Sequence, residues 1–309
     1  MSQASIQAHY NKVLTDIAVQ FTPPDLSWEK VIPRKSVTKE SDVWAVFDKD
    51  AFSVPVDFRA DGTESAETTI GWRYEPYLCE EHALHDVITQ RMRDNVDDEL
   101  GLEAAITENV KQQVWNNIEL KVFGPSGIGL LRTAANNSYS ANVSWATLST
   151  ASPRTDIQTA IDNVERNCGR APNTIVLTRN VGRHITRTSE FRDEAKYTVD
   201  IRNEELPTQL YGLNAVYVSS LLNTTSGVPN NRGQAKSLER IMADDVWIGY
   251  VNPNMGYRDL TYGITLVTQE YASSWYEDKR RSDIIEYGMI YDIKLIAKEC
   301  GGLLTTVLT

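Results

Sequence analysis

The chain has 309 residues, of which 41% are hydrophobic and 24% are charged, so its composition is that of a globular protein able to bury a core. A net charge of −11 without any dense run of Lys and Arg argues against a protein that recognises nucleic-acid sequence, although an acidic subunit can still enclose DNA. Three distant cysteines, Cys79, Cys168 and Cys300, indicate no disulfide framework and suit a reducing cytosol. We expect neither a signal peptide nor a membrane-spanning segment.

Residues 1–42 predict an N-terminal arm. A short amphipathic helix is indicated at its beginning, and Pro23 and Pro24 end that helix. Residues 28–40 combine few apolar side chains with many charges, so this stretch cannot form a core of its own. We therefore expect the arm either to be disordered or to lie on a neighbouring molecule.

Residues 51–77 predict a long β-hairpin with one apolar face. Apolar side chains alternate with polar ones on both sides of a polar tip that contains Arg59, Asp61 and Glu64. An isolated pair of strands is marginally stable in water, so this face has to pack either on this subunit or on another one. The apolar positions are Phe52, Val54, Val56, Phe58, Ile70, Trp72 and Tyr74.

Residues 94 to about 120 predict one long helix, because apolar residues such as Val110, Val114 and Ile118 recur every four positions. Acidic residues crowd its predicted start, where the helix dipole favours negative charge. At ~1.5 Å per residue the helix would be ~39 Å long, which is more typical of a strut than of a compact core.

The second half of the chain predicts alternating helices and strands. Residues 124–154 predict a mostly irregular loop anchored by Trp145, and a helix with Thr155 and Gln158 as a capping box then ends at Gly169. Cys168, on the apolar face of that helix, is predicted to be a core residue. A short helix is predicted over residues 180–188, and strands are predicted at residues 174–177, 215–218, 245–251, 264–267, 287–297 and 303–308.

No motif in the chain predicts chemistry. The best metal candidate joins Cys79, His82 and His85 on a predicted helix, with Glu81 as a carboxylate, but a zinc site usually draws three or four ligands from separated segments. The chain contains neither a Gly-x-Ser-x-Gly nucleophile elbow nor a Gly-x-Gly-x-x-Gly or Walker A loop for phosphate. We therefore predict no catalytic, cofactor-binding or metal-ligating residues, and no enzyme.

The order of these elements resembles the Hong Kong 97-type fold of the major capsid proteins of tailed bacteriophages. The resemblance extends from about residue 43 to the C-terminus, and residues 169–178, of sequence GRAPNTIVLT, are its most specific part. The stretches that match the family in its own order are residues 77–84, residues 87–88 with the helix from Asp94, Trp145 with residues 153–158, and residues 169–178, 210–213, 215–218, 245–251 and 294–302.

The resemblance implies an α+β chain with an N-terminal arm, an extended β-hairpin loop, a peripheral domain with a long spine helix, and an axial domain. It implies a structural virion protein that assembles as pentamers and hexamers, in the cytoplasm of a bacterial host, into an icosahedral head around double-stranded DNA. Its implied partners are its own copies, a separate scaffolding protein, a portal and decoration proteins. The expected boundaries are residues 1–42 for the arm, 43–84 for the extended loop, 85–150 for the peripheral domain with the spine helix, 151–261 for the axial domain and 262–309 for the return strands of the peripheral domain.

On this interpretation the hairpin makes the main contact between subunits. We expect its apolar face to pack on a neighbour, and its charged tip to set the register of that contact. One alternative is an encapsulin-type compartment shell, which shares the fold and packages enzymes. A remote alternative is a soluble metal-dependent enzyme built on Cys79, His82 and His85. The predicted contact residues are Phe52, Val54, Phe58, Arg59, Asp61, Glu64, Trp72 and Tyr74.

Overall fold

The computed structural model describes residues 12–23, 26–47, 54, 57–67, 71–96, 99–125, 128–133, 138–195, 206–219, 221–223, 238–305 and 307–309. The helices are α1 (Lys12–Gln20), α2 (Gln90–Arg93), α3 (Glu99–Phe123), α4 (Leu130–Thr133), α5 (Pro153–Cys168), α6 (Arg179–Arg187) and α7 (Ser189–Ala195). The strands are β1 (Arg34–Ser36), β2 (Ser41–Phe47), β3 (Trp72–Leu78), β4 (Glu80–Thr89), β5 (Ser138–Ser140), β6 (Thr174–Thr178), β7 (Gln209–Leu210), β8 (Leu213–Val218), β9 (Leu221–Asn223), β10 (Leu238–Arg240), β11 (Val246–Gly249), β12 (Gly263–Glu277), β13 (Ser282–Leu295) and β14 (Gly301–Thr305). Short 3₁₀ turns occur at Trp28–Lys30 and Lys298–Cys300.

Two sheets organise the described part of the chain. Strands β1, β12, β13 and β4 form a four-stranded sheet in that order, and β5, β14, β11, β6, β8 and β7 form a six-stranded sheet. The pair β2 and β3 forms a separate two-stranded ribbon, as does the pair β9 and β10. Helices pack on both larger sheets, so the α+β class is confirmed.

The predicted long helix is confirmed as α3, which has 25 residues and lies on one face of the four-stranded sheet. It begins at Glu99 rather than at residue 94, because α2 and a turn precede it. Its side chains Val110, Val114 and Ile118 are at most 3% exposed. At ~1.5 Å per residue, α3 is ~37 Å long, and it packs on β13 and β4 of the sheet.

The N-terminal segment is part of the chain's own core. Leu14 and Ala18 of α1, and Trp28 and Val31 after it, are fully buried in the same apolar cluster as α3. The prediction that residues 1–42 are disordered or lie on a neighbour is therefore wrong for this stretch. The few apolar residues of the segment are sufficient because they complete a core that the rest of the chain supplies.

Buried charges on α3 hold this segment in place. The Lys111 ammonium, on a side chain only 1% exposed, lies 3.0 Å from Glu270 Oε1 of β12 and also donates to the carbonyl of Ala18. About two turns further along α3, the Glu119 carboxylate accepts hydrogen bonds from the backbone N–H groups of Ser27 at 3.2 Å and of Trp28 at 2.9 Å. These bonds attach α1 and the first 3₁₀ turn to α3 and β12.

The strands of the four-stranded sheet are longer than the sequence predicts. Strands were predicted at residues 264–267 and 287–297, whereas β12 has 15 residues and β13 has 14. Polar residues interrupt the apolar pattern of β12, and one of them, Ser273, is buried. A buried polar position is invisible to a pattern of hydrophobicity alone.

The predicted hairpin has a different first strand. β3 pairs antiparallel with β2, which places Val43 opposite Pro76 and Ala45 opposite Tyr74. Of the predicted strand at residues 52–58, Val54 and residues 57–58 lie outside any strand, and the others lie outside the described residues. Strand β2 is the better partner because it supplies an unbroken apolar run, whereas the predicted strand contains Pro55, which has no N–H to donate.

The six-stranded sheet carries α5 and α6 on one face, where Ile157, Val181 and Ile185 are fully buried. Gly169 ends α5 with φ 71°, as predicted. The start of α5 differs, because the helix begins at Pro153 and the predicted capping box at residues 155–158 lies inside it.

Trp145 is confirmed as the anchor of the preceding loop. Its side chain is fully buried, and its indole Nε1–H donates to Asp156 Oδ2 at 2.9 Å. Asp156 therefore attaches the loop to α5, although the sequence pattern assigned that residue only to a helix cap.

A disulfide joins Cys168 at the end of α5 to Cys300 in front of β14. The prediction that the cysteines form no disulfide is therefore wrong, since chain spacing does not report which cysteines the fold brings together. Cys168 is a core residue, as predicted, at 1% exposure. Cys79 is a buried free thiol.

Both larger sheets join strands from distant parts of the chain, and the predicted domain boundaries stay a prediction. β1, in the predicted arm, pairs with β12, while β5 and β14, in the predicted peripheral segments, belong to the six-stranded sheet. No helix among the described residues has both the length and the apolar composition that spanning a bilayer requires.

Candidate inter-subunit surface

The ribbon of β2 and β3 has one face turned toward the body of the chain. Trp44 and Tyr77 on this inner face are 6% exposed and pack with Met255, Ile264 and Leu266. The ribbon is therefore attached through its inner face to β12 of the four-stranded sheet and to Met255 in the segment that precedes β12.

The opposite face of the ribbon is mostly apolar, and much of it is exposed to solvent, although Ala45 opposite Tyr74 is buried. Cross-strand pairing places Val43 opposite Pro76, with Tyr74 and Leu78 on the same side. The exposed fractions are 44% for Val43, 50% for Tyr74 and 58% for Leu78, and Pro76 is also exposed. We call these four residues the outer face. Exposed apolar residues in one contiguous patch are typical of an interaction site.

Tyr74 has partners within its own chain. Its hydroxyl accepts a hydrogen bond of 2.8 Å from the Arg258 guanidinium, and its ring stacks on Tyr257 with 6.5 Å between centroids. Tyr257 in turn packs edge-on against Trp44 and donates to the Val43 carbonyl. These contacts fix the ring's position and leave half of its surface free for a second molecule.

Beyond the ribbon, residues 57–67 form a loop whose every side chain is exposed, which we call the tip loop. Phe58 is 82% exposed, and Val54 just before the loop is 94% exposed. The loop has an ordered turn, in which Gly62 has φ 79° and Thr63 N donates to the Ala60 carbonyl at 3.2 Å. Glycine suits this turn because it adopts positive φ without steric cost.

The charged residues of the tip loop differ in the contacts that they make within the chain. The Arg59 Nε–H donates to the Thr63 carbonyl, so this side chain is bound within the loop. Asp61 and Glu64 are exposed and have no ion pair with a residue that the structure describes. They are available for the contact that the sequence predicted, whereas Arg59 is partly committed to the loop itself.

The remaining predicted contact residues are placed as follows. Trp72 lies at the end of β3 on the same side as the outer face and is partly exposed. Phe52 lies outside the described residues. Sequence reasoning missed Val43, Pro76 and Leu78, because the unbroken apolar run of β2 and the proline of β3 give no alternation that distinguishes one face from the other.

A small polar pocket of about 330 Å³ lies beside Leu78, between α3 and the strands β4 and β13. In it the Lys121 ammonium donates to the Tyr291 hydroxyl at 2.9 Å and lies 3.2 Å from His82 Nε2. Burial lowers the pKa of Lys121, and burial together with the Lys121 charge lowers the pKa of His82. Neutral His82 is therefore the acceptor for the Lys121 ammonium.

The three residues of the metal candidate do not lie on a helix. His82 and His85 belong to β4, where residues three apart point to opposite faces of the sheet. Cys79 precedes the strand and its buried thiol lies 3.7 Å from the Leu266 carbonyl. Within the described residues, no group of three His, Cys, Asp or Glu side chains is placed to hold a metal ion.

No protein-family model matches the chain, and no curated protein matches it. Solved phage structures do match its fold. A phage-related protein from Bordetella bronchiseptica aligns over 97% of this chain and 98% of its own, with a TM-score of 0.73 at 18% identity. A structure from Mycobacterium phage Che8 covers 93% of both chains with a TM-score of 0.58 at 12% identity.

The mature capsid of bacteriophage PhiM1 covers 93% of this chain and 89% of its own, with a TM-score of 0.58 at 10% identity. The chain therefore shares its fold with phage proteins, one of which is a capsid subunit. The likeness to phage capsid proteins that the sequence motifs indicated is confirmed at the level of the fold.

Proposed function

We propose that this chain is a major capsid protein of the Hong Kong 97 type, a structural subunit whose copies assemble as pentamers and hexamers into an icosahedral phage head that encloses double-stranded DNA. The fold shared with the PhiM1 capsid over nearly the whole chain supports this role. In this proposal the ribbon with the tip loop is the extended loop, and α3 on the four-stranded sheet is the spine helix of the peripheral domain. The six-stranded sheet is the core of the axial domain.

The observation that carries the proposal is the outer face. In an isolated monomer these apolar residues contact water directly, which is unfavourable, and a contiguous exposed apolar patch usually marks an interaction site. Covering them with a neighbour would contribute ~25 cal/mol for each Å² of apolar surface removed from water. Such a contact is weak by itself, but closed symmetry repeats it around every ring and through the shell, so the assembly is strong.

The proposal also places the protein among other head components. As a subunit of the virion, it would assemble in the cytoplasm of the host with a separate scaffolding protein, and it would adjoin a portal and decoration proteins. DNA inside the shell would be confined without sequence-specific contacts, which agrees with a subunit charge of −11.

Negative-stain microscopy of the expressed protein tests the proposal directly, because shells of uniform diameter are the expected result. Leu78→Asp and Trp72→Ala should each remove most particles, since one places a charge on the outer face and the other removes an aromatic ring beside it. Both variants should keep the thermal unfolding midpoint of the wild-type subunit within a few degrees.

Val143→Asp is the matched control, because Val143 is 42% exposed and lies near the six-stranded sheet rather than on the ribbon. It should leave particle yield unchanged. A wild-type protein that stays monomeric under all assembly conditions would contradict the proposed function. Normal shells from Leu78→Asp and Trp72→Ala would contradict the role given to the ribbon.

A further inference from the structure

Helix α6 carries a row of arginines on its exposed side. Arg179, Arg183 and Arg187 recur every four residues and are all exposed, while Val181 and Ile185 on the opposite side are fully buried in the core of the six-stranded sheet. At ~1.5 Å rise per residue, the row is ~12 Å long. We call these three arginines the arginine stripe.

The arginine stripe has no counter-charge in the part of the chain that the structure describes. Helix α6, of sequence RNVGRHITR, contains no acidic residue. None of the three guanidinium groups forms an ion pair or a hydrogen bond with a described residue. In the next helix, the Glu190 carboxylate accepts the backbone N–H of Arg154 at 3.1 Å instead. The stripe is therefore a local excess of positive charge on a subunit whose net charge is −11.

In the isolated subunit these charges oppose the helix that carries them. Like charges four residues apart on a helix repel one another. Arg179 also lies in the first turn, where the helix dipole is positive and no acidic side chain opposes it. The Thr178 hydroxyl caps this end by accepting from the Val181 N–H at 3.3 Å, but it brings no charge. A partner that places several anions along the stripe would relieve both repulsions.

The surroundings of the stripe indicate which kind of anion fits. Among the described residues, no exposed large hydrophobic side chain lies on α6 or α7. A contact between proteins usually has a core of apolar and aromatic side chains, whereas nucleic-acid phosphates are bound by cationic and polar side chains. Asn180 and Thr186, which adjoin the arginines in sequence, are polar and partly exposed. The stripe therefore fits a phosphate backbone better than a protein surface.

We propose that the arginine stripe is a binding site for the phosphate backbone of double-stranded DNA. The proposal rests on the proposed function, because the phage head is what brings many subunits and DNA together. The planar guanidinium group matches phosphate oxygens with two parallel hydrogen bonds. Contacts with phosphate carry no sequence information, so the site suits a shell that encloses DNA of any sequence.

The net charge of the subunit does not prevent this contact. At physiological ionic strength the Debye length is ~8 Å, so carboxylates on distant surfaces are largely screened from a phosphate that touches the stripe. Three phosphate contacts bind weakly in a single subunit. A shell repeats them on every copy along the same DNA, and multivalency makes the total binding strong.

Binding of a 20-base-pair DNA duplex to the unassembled subunit, measured by fluorescence anisotropy, tests the site. Neutralising three phosphates gives a slope of about −2.7 for the logarithm of the association constant against that of the salt concentration. The wild-type affinity should therefore fall about 40-fold between 50 and 200 mM salt. Arg183→Gln with Arg187→Gln should reduce the slope to about −0.9 and the affinity at 50 mM salt by about tenfold.

Two further variants are matched controls. Arg166→Gln with Arg170→Gln removes the same charge at exposed positions outside the stripe, and it should bind the duplex as the wild-type subunit does. Arg183→Lys with Arg187→Lys keeps the charge of the stripe, and it should keep the wild-type salt slope. Circular dichroism should show the same helical signal for all four proteins, because the substituted side chains are exposed.

The readouts separate this site from the proposed function. Absence of shells from wild-type protein in negative stain would contradict the proposed function, whereas duplex binding is measured on the free subunit. Equal affinities and equal salt slopes for the wild type and for Arg183→Gln with Arg187→Gln would overturn the DNA site. Loss of shells from that variant with unchanged duplex binding would assign the stripe to a contact between proteins, which also overturns it.

Discussion

At the scale of single residues, Lys111 shows how a charge can be part of a core. Its ammonium is enclosed by the Trp115 ring, with 4.6 Å to the ring centroid, and by the Glu270 carboxylate. Glu270 also accepts a hydrogen bond of 2.7 Å from the Tyr287 hydroxyl. Burial lowers the pKa of Lys111, and Glu270 opposes this by favouring the charged form.

Removing this ammonium should be costly. Lys111→Ala removes the ammonium that lies 3.0 Å from Glu270 Oε1 and leaves Arg34, 3.4 Å from Oε2 and partly exposed, as the cation of that carboxylate. Removing one partner of a buried ion pair typically costs ~3–5 kcal/mol. Urea unfolding followed by tryptophan fluorescence measures the loss in the free energy of unfolding. Lys279→Ala, at an exposed position in the turn after β12, is the control and should change that energy by less than ~0.5 kcal/mol. A loss below ~1 kcal/mol for Lys111→Ala would show that the ion pair between Lys111 and Glu270 is not formed in solution.

His82 should make the subunit sensitive to acid. The pKa of His82 is lowered from its ordinary value of 6.5, so the unfolded chain binds a proton more readily than the folded one. The contribution of neutral His82 to stability is complete above the pKa of the unfolded chain and is lost as the pH falls below that pKa. Protonation is disfavoured in the folded chain because His82 is partly buried and because its charged ring would face the Lys121 ammonium 3.2 Å away. The carboxylates of Glu80 and Asp292 nearby moderate this repulsion.

Thermal unfolding at pH 7.5 and at pH 5.0 measures this dependence. The wild-type midpoint should fall more steeply on acidification than that of His82→Gln, whose amide oxygen accepts from Lys121 at both pH values. Equal falls for the two proteins would mean that His82 does not titrate in this range.

At the scale of elements, the first 3₁₀ turn depends on α3. The Glu119 carboxylate accepts from the N–H groups of Ser27 and Trp28, so it binds the beginning of the turn as a capping residue would. The turn has no side-chain cap of its own, and its N-terminal position is therefore determined by a residue that is distant in sequence.

Glu119→Ala should release this turn from α3. Two buried N–H groups lose their acceptor, at ~1–3 kcal/mol for each group left unpaired. Hydrogen exchange at residues 26–32 should speed up by one to two orders of magnitude, whereas Glu119→Gln, which keeps one acceptor oxygen, should show a smaller change. Unchanged protection in Glu119→Ala would indicate that packing of Trp28 alone holds the turn.

At the scale of the whole molecule, the disulfide closes a large loop. Cys168 and Cys300 are 132 residues apart in sequence, and the chain between them forms most of the six-stranded sheet together with β12 and β13. A cross-link of this kind restricts the unfolded chain and typically contributes ~2–4 kcal/mol.

Thiol titration in denaturant tests the bond. Without reductant only Cys79 should react, and after reduction all three cysteines should react. Reduction should lower the free energy of unfolding by ~2–4 kcal/mol in the wild-type protein. The double variant Cys168→Ser with Cys300→Ser should be insensitive to reductant. Three reactive thiols before reduction would show that the bond is absent.

The sequence determined those parts of the protein in which local pattern and burial agree. The stripe of Val110, Val114 and Ile118 predicted α3, and the left-handed end of α5 at Gly169 followed from residue type alone. The motifs around residues 169–178 indicated the phage capsid fold, and the solved phage structures confirm that fold. Each of these features depends on neighbours in sequence, which a pattern can report.

Tertiary structure alone decided which segments meet. It brought Cys168 to Cys300, placed Lys111 and Glu119 beneath the N-terminal segment, and paired β3 with β2 instead of residues 52–58. It also selected the outer face, because an unbroken apolar run gives no sign of which side is buried. These outcomes depend on contacts between residues far apart in the chain, and no local periodicity contains that information.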